Sequence, residues 1–246
     1  MTKISEDLVG DILNSTRSTA VTGAGISVES DIAPFRGENG LWSEYDPNEY
    51  AHVSAFNRDP KKCWELFRLQ IEEIFDAEPN AGHTGLVDLE DHGLNSVITQ
   101  NIDGLHQRAG SRDVIELHGT LYELVCTSCG KKSVTEEHLG TVTDGDIPHC
   151  SCGSLLRPDV VLFGEQLPFA AIERARDEAE NCDLMFVVGT SAVVQPAASL
   201  PILAKSHGAK VVEINLEETP LTHNISDYFI QGKAGETLPR LISRLQ

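Results

Sequence analysis

Four cysteines stand as two close pairs, Cys126 with Cys129 and Cys150 with Cys152. Soft ligands so grouped are what a tetrahedral structural zinc needs, and a full protein set leaves no open coordination position for chemistry. The second pair is separated by one residue where a zinc ribbon has two, which keeps His149 as an alternative to Cys150. A different chemistry is suggested by Gly23-Ala24-Gly25-Ile26-Ser27, where two glycines would let backbone amides approach a pyrophosphate. Val28 holds the place of the third glycine in a dinucleotide fingerprint, so a plain tight turn is the competing reading. Asn101, Asp103 and His118 complete the chemically capable set. An imidazole titrating near neutrality suits proton transfer, although a lone His is more often structural, and Asn and Asp commonly cap turns.

These residues lie where elements end. Short apolar runs at Thr19–Thr22, Ser96–Thr99, Leu184–Val188 and Val211–Ile214 are expected to be buried parallel strands. Helical patterns fall between them, as at Cys63–Phe75 and Ile172–Cys182, and Leu238, Leu241, Ile242 and Leu245 close the chain at helical spacing. The alternation predicts a doubly wound α/β parallel sheet, Rossmann-like, with ligands beyond the carboxyl ends of its strands. Those ends read Gly23–Ser27, Gln100-Asn101-Ile102-Asp103, Gly189-Thr190-Ser191 and Asn215-Leu216-Glu217. About 122–157 breaks the alternation and is expected to be a smaller inserted zinc-ribbon module. The stretch from about 27 to 60, irregular but rich in aromatics, has the make-up of a cofactor-covering loop. One catalytic domain over residues 1–246 is expected.

Composition narrows the classes. A net charge of -19 disfavours nucleic-acid binding, which depends on clustered Lys and Arg. No apolar run reaches the about eighteen residues of a membrane-spanning helix. The N-terminus from Met1 to Asp7 leads into an amphipathic pattern with Ile4, Leu8 and Ile12 on one face, not into a secretion signal. A cytoplasmic protein, not membrane-bound, is expected. Paired cysteines in a reducing compartment point to metal, and the isolated Cys63 and Cys182 to small core hydrophobes.

The ordered set Gly23–Ser27, Phe35-Arg36, Thr99–Asp103, Leu117-His118-Gly119, the two cysteine pairs, Phe163-Gly164-Glu165, Gly189-Thr190-Ser191 and Asn215 resembles the sirtuin family, prokaryotic type, over nearly the whole chain. The resemblance implies an NAD-dependent protein-lysine deacylase with NAD as co-substrate and one structural Zn2+. Acetyl or other neutral acyl groups would leave protein lysines, giving nicotinamide, O-acyl-ADP-ribose and free lysine. It further implies His118 as general base, and Asn101 and Asp103 as the residues that orient the ribose and hold the carboxamide. Gly23, Ala24, Gly25, Ser27, Phe35, Arg36, Gln100, Ile102, Gly189, Thr190, Ser191, Asn215, Leu216, Glu217 and Ala234 are implied to bind the cofactor. Val161, Phe163, Gly164 and Glu165 are implied to pair with the acyl-lysine peptide.

Two positions depart from the family pattern. Asp31 and Ala33 stand where Gly-Ile-Pro often precedes Phe-Arg, and Asp tolerates left-handed backbone better than most residues. Members that take succinyl or malonyl groups carry Tyr and Arg three residues apart, where this chain has Phe67 and Gln70, with Arg68 between. Neither Phe67 nor Gln70 offers the hydroxyl or cation that would satisfy a buried carboxylate, so neutral acyl groups are expected. A mono-ADP-ribosyltransferase using the same cofactor site and a non-enzymatic zinc-ribbon adaptor are the competing readings.

Overall fold

The computed structural model describes residues 4–37 and 40–246. In chain order its strands are β1 (Ser18–Thr22), β2 (Leu94–Thr99), β3 (Val114–Glu116), β4 (Gly119–Cys126), β5 (Lys132–Val134), β6 (Leu156–Val160), β7 (Leu184–Val188), β8 (Lys210–Asn215) and β9 (Tyr228–Gln231). The helices are α1 (Glu6–Asn14), α2 (Pro47–Tyr50), α3 (Val53–Arg58), α4 (Pro60–Asp76), α5 (Ala81–Glu90), α6 (Leu105–Ala109), α7 (Leu139–Thr143), α8 (Phe169–Asn181), α9 (Leu200–Ser206) and α10 (Ala234–Ile242).

The larger sheet is parallel throughout, in the order β3-β2-β1-β7-β8-β9. The chain steps outward from β1 to β3, then restarts on the other side of β1 with β7. Strand order therefore reverses between β1 and β7, the place where open α/β sheets hold ligands. On one face Leu8, Ile12, Leu86, Leu89, Leu238 and Leu241 from α1, α5 and α10 cover Ala20, Phe186 and Val212. On the other, Ala175, Ala179, Leu200 and Ala204 from α8 and α9 cover Val21, Met185 and Val211. Burial on both faces explains why the strands are continuous apolar runs in place of alternating ones. The doubly wound Rossmann-like expectation is met, and each of the four expected strands is present.

A second, antiparallel sheet, β5-β4-β6, carries the cysteines. Its core is not self-sufficient: Leu121, Leu124, Leu156 and Val160 are buried against Trp64, Phe67 and Ile71 of α4. The Trp64 indole N–H donates to the Leu156 carbonyl at 3.2 Å. The helix expected at Cys63–Phe75 thus runs from Pro60 to Asp76, with the Asp59 carboxylate capping the Lys62 N–H, and belongs to the smaller lobe.

The stretch expected to cover the cofactor contains short 3-10 turns followed by α2 and α3. Glu38 and Asn39 within it lie outside the described residues, as do Met1, Thr2 and Lys3 of the N-terminal pattern. Asp31 adopts the left-handed conformation, φ 62 and ψ 21, as its residue type suggested. Cys63 and Cys182 are both buried in apolar clusters. No helix among the described residues is long and apolar enough to cross a membrane.

Candidate active site and metal centre

The carboxyl ends of the central strands meet in one hydrogen-bonded group. Ser27 sits at its centre, fully buried beyond β1. Its hydroxyl donates to Asp103 Oδ2 at 2.7 Å and accepts from Asn101 Nδ2 at 3.0 Å. Asn101 Nδ2 also reaches the Gly23 carbonyl at 3.2 Å, and Asp103 Oδ1 accepts the Leu105 N–H at 3.0 Å, so Asp103 does cap the turn into α6. That capping uses one carboxylate oxygen only. Burial raises the Asp103 pKa, while the Ser27 hydroxyl and the Leu105 N–H oppose the rise.

Two buried histidines that the sequence did not single out support this group. His83 Nδ1 accepts the Asn80 N–H at 3.2 Å, which places the proton on Nε2, facing Ser27 Oγ at 3.4 Å. His106 Nε2 lies 2.9 Å from the Thr22 hydroxyl, which itself donates to Thr99 Oγ1 at 2.8 Å. Thr99 Oγ1 then accepts the Asn101 N–H at 3.0 Å. Their rings meet edge to face at 5.0 Å. Desolvation pushes His83 down to about 4 and His106 down to about 3, so both are neutral supports and not proton carriers near pH 7. A lone His inside a helical pattern gives no sequence signal of this kind.

His118 ends the short link between β3 and β4. Its Nδ1 lies 2.9 Å from the Gln100 carbonyl. A carbonyl only accepts, so Nδ1 carries the hydrogen and Nε2 keeps a free lone pair. Burial lowers the His118 pKa, partly offset by that hydrogen bond, and the ring is neutral at physiological pH. Gln100 extends the connection: its side-chain amide donates to Thr190 Oγ1 at 3.0 Å, and Asn215 Nδ2 donates to the Thr190 carbonyl at 3.0 Å. The ends of β1, β2, β7 and β8 are thereby joined.

The glycines also allow two strand-end loops to meet. The Gly25 N–H is bonded to the Gly189 carbonyl at 2.8 Å, and a Cβ on Gly25 would lie 2.7 Å from that same oxygen. Gly189 itself has φ +60. The pair interlocks the β1 and β7 loops, and only a short 3-10 turn, Ala24–Ile26, follows, not a long helix. Among the described residues the N–H groups of Ala24, Thr190 and Ser191 have no partner, and these suit an anionic group.

Phe35 stacks on Trp42 at 5.3 Å, and Trp42 meets Phe163 edge-on at 5.8 Å, bridging the expected cofactor loop and the expected peptide segment. A cavity between the lobes is lined by Ser27, Phe35, Gln70, Glu73, Ile102 and Asp103, among others. Gln70 reaches it, whereas Arg68 turns to the Val142 carbonyl at 2.6 Å. Val161 joins the site through its N–H, bonded to the His118 carbonyl at 2.9 Å. Glu165 does not present a free carboxylate: Arg157 and the Leu162 N–H occupy it. Arg36, Leu216 and Glu217 are exposed, and Ala234 is buried at the start of α10.

The four cysteine sulfurs all lie within 4.8 Å of one another. Cys126 and Cys152 sulfurs are 3.5 Å apart and those of Cys129 and Cys150 3.7 Å. Tetrahedral bonds of about 2.3 Å give sulfur edges of about 3.8 Å, so the cluster fits one structural zinc. Cys150 is in it. His149 is not, and its Nδ1 bonds to the Ile147 carbonyl at 2.9 Å.

A protein-family model described as Sir2 family matches residues 23–196. An NAD-dependent protein deacylase of Pyrococcus abyssi is 48% identical, with 96% of this chain and 95% of the relative aligned. NAD-dependent protein deacylase 1 of Archaeoglobus fulgidus is 47% identical over 99% of this chain and 98% of its own. Among solved structures, a Sir2 homolog in complex with NAD superposes with a TM-score of 0.90 at 46% identity, covering 99% of this chain and 94% of that one. A family model that spans three of the four strand-end motifs and relatives nearly half identical from end to end establish that the chain belongs to the Sir2 family, as a sirtuin of the prokaryotic type.

Proposed function

We propose that the protein removes acetyl and other neutral acyl groups from lysine side chains of proteins, consuming NAD and giving nicotinamide, O-acyl-ADP-ribose and free lysine. The observation that carries the reading is the fixed tautomer of His118: Nδ1–H is held by the Gln100 carbonyl, leaving Nε2 as a neutral base at the edge shared with Asn101 and Asp103. Bound NAD would supply the electrophile at the ribose carbon that bears nicotinamide. Asn101 and Asp103, braced by Ser27, orient the ribose and carboxamide beside that carbon. Phe35, stacked on Trp42, screens the site from water and returning nicotinamide. His118 Nε2 accepts the ribose hydroxyl proton.

Gly23, Ala24, Gly25, Arg36, Gln100, Ile102, Gly189, Thr190, Ser191, Asn215, Leu216, Glu217 and Ala234 complete the cofactor site in this reading. Val161, Phe163 and Gly164 pair with the peptide. The chain works as one catalytic domain with the zinc module of about 122–157 inserted, in the cytoplasm and without nucleic acid. Acyl choice follows from the cavity, where Gln70 offers no charge and Glu73 repels a carboxylate. Relatives named deacylases and a Sulfurisphaera tokodaii relative named a deacetylase support the same activity. Mass spectrometry of acyl-lysine peptides incubated with NAD tests it. Free lysine with acyl-ADP-ribose is expected; intact peptides would refute it.

A further inference from the structure

The contacts of Glu165 give Arg157 a task. Arg157 lies in β6, paired with Val125, one step from the pairing of Leu156 with the zinc-site residue Cys126. Its guanidinium grips Glu165 with both arms, Nη1 to Oε2 at 3.1 Å and Nη2 to Oε1 at 2.9 Å, and lies 6.0 Å from the ring centre of Phe56. Glu165 Oε2 also takes the Leu162 N–H at 2.9 Å, and the Glu165 N–H returns to the Leu162 carbonyl at 3.0 Å. The turn from Leu162 to Glu165 is therefore closed from both ends by one carboxylate residue. Its other anchors include backbone bonds, Val161 N–H to His118 and Phe163 exchanging bonds with Ala51 and Val53, and the ring contact of Phe163 with Trp42. Gly164, at φ +85, leaves no room for a side chain, since a Cβ would sit 2.9 Å from the His52 ring.

We infer that Arg157 is a positioning residue for the acyl-lysine peptide. It holds Glu165, Glu165 holds the Leu162 N–H, and the turn at 161–165 is thereby kept in the one conformation that faces a peptide. Both side chains are about one-fifth exposed, so the pair is largely shielded, and its forked geometry is one that Lys cannot reproduce. Glu165 acts here as the acceptor of Arg157 and not as a contact to the peptide. The inference rests on the proposed pairing of this segment with substrate.

The test uses full-length, zinc-loaded protein carrying Arg157→Ala, Arg157→Lys or Glu165→Gln. Peptide KM, NAD KM and kcat are measured separately on an acetyl-lysine peptide. Loss of the fork in Arg157→Ala is expected to raise peptide KM about tenfold or more, with NAD KM and kcat near wild type. Arg157→Lys and Glu165→Gln, which keep one bond, should fall between. Hydrogen exchange at the Leu162 amide, read without peptide or turnover, should be faster in Arg157→Ala and Glu165→Gln. If Arg157→Ala does not fold, Glu165→Gln carries both measurements. Unchanged exchange at Leu162, unchanged peptide KM, or parallel rises in peptide and NAD KM would overturn the inference. An inactive wild type whose Leu162 exchange still responds would instead remove the proposed pairing with substrate.

Discussion

The two lobes are held together by different physics. Beyond the large sheet, Ser27, Asn101, Asp103, His83 and His106 are each at most 4% exposed and are ordered by mutual hydrogen bonds over a continuous apolar core. The smaller lobe has three strands, a metal-binding cluster and an Arg157–Glu165 fork, and takes much of its apolar core from α4. One region is preorganised by burial, the other by a metal and by ion pairs. The proposed site uses both, with cofactor chemistry on the first and peptide placement on the second, so perturbations should separate them.

The largest separation should come from the metal. Structural zinc in small modules contributes about 10–16 kcal/mol of apparent binding free energy, which is folding free energy. Cys126→Ala, or chelation, is expected to abolish turnover and loosen the smaller lobe while amide protection of β1, β2 and β7 persists. Metal analysis combined with hydrogen exchange checks this, and uniform unfolding of both lobes would erase the distinction. Next is His118→Ala, expected to lower kcat by about 10² to 10⁴ without moving the melting temperature by more than a few degrees. Steady-state kinetics and thermal unfolding decide it; activity within a few-fold of wild type would remove the base from His118.

Acyl choice should give a smaller effect, one located where the lobes meet. Acetyl peptides are expected to be preferred over succinyl peptides, and Phe67→Tyr with Gln70→Arg to move the kcat/KM ratio toward succinyl, because a buried carboxylate needs a paired cation. A wild type that prefers succinyl would show that Arg68 leaves Val142 for the cavity. A separate effect, confined to the large lobe, is on pH. His83 and His106 have pKa values lowered by burial, so the unfolded chain binds their protons first. Stability is complete above the unfolded value near about 6.5 and falls as pH drops, by about 1.4 kcal/mol per pH unit for each histidine, until pH nears the folded values. Denaturant titration from pH 7 to pH 5 measures it, and a flat profile would mean that the two rings titrate in the fold as they do in the unfolded chain. His118, lowered in the same direction, should give kcat/KM an acidic limb below the ordinary His range.

The two lobes also differed in how far the sequence revealed them. The large sheet was legible because strands buried on both faces are uninterrupted apolar runs, and its site residues follow those runs directly. β3 and β9 escaped notice, being three and four residues long at the sheet edges. The cysteine pairs announced a metal, and the fold places Cys150 in the cluster where spacing had left His149 open. Hidden from sequence were contacts made across long separations. Nothing local marks Trp64 as bonded to Leu156, His83 as a support for Ser27, or Glu165 as filled by Arg157. Glycine spacing was visible, but the interlock of Gly25 with Gly189 depends on two loops 164 residues apart (189 − 25) meeting at the strand-order reversal.

The central claim is that both lobes serve one reaction in which the acyl group leaves lysine for the ribose. Product stoichiometry tests it most directly. With one acetyl-lysine peptide and NAD, mass spectrometry and chromatography should find nicotinamide, O-acetyl-ADP-ribose and deacetylated peptide in equal amounts, and the latter two formed about 10² to 10⁴ times more slowly with His118→Ala. Nicotinamide released with the peptide still acetylated, and ADP-ribose attached to protein, would contradict the account and make the protein a mono-ADP-ribosyltransferase.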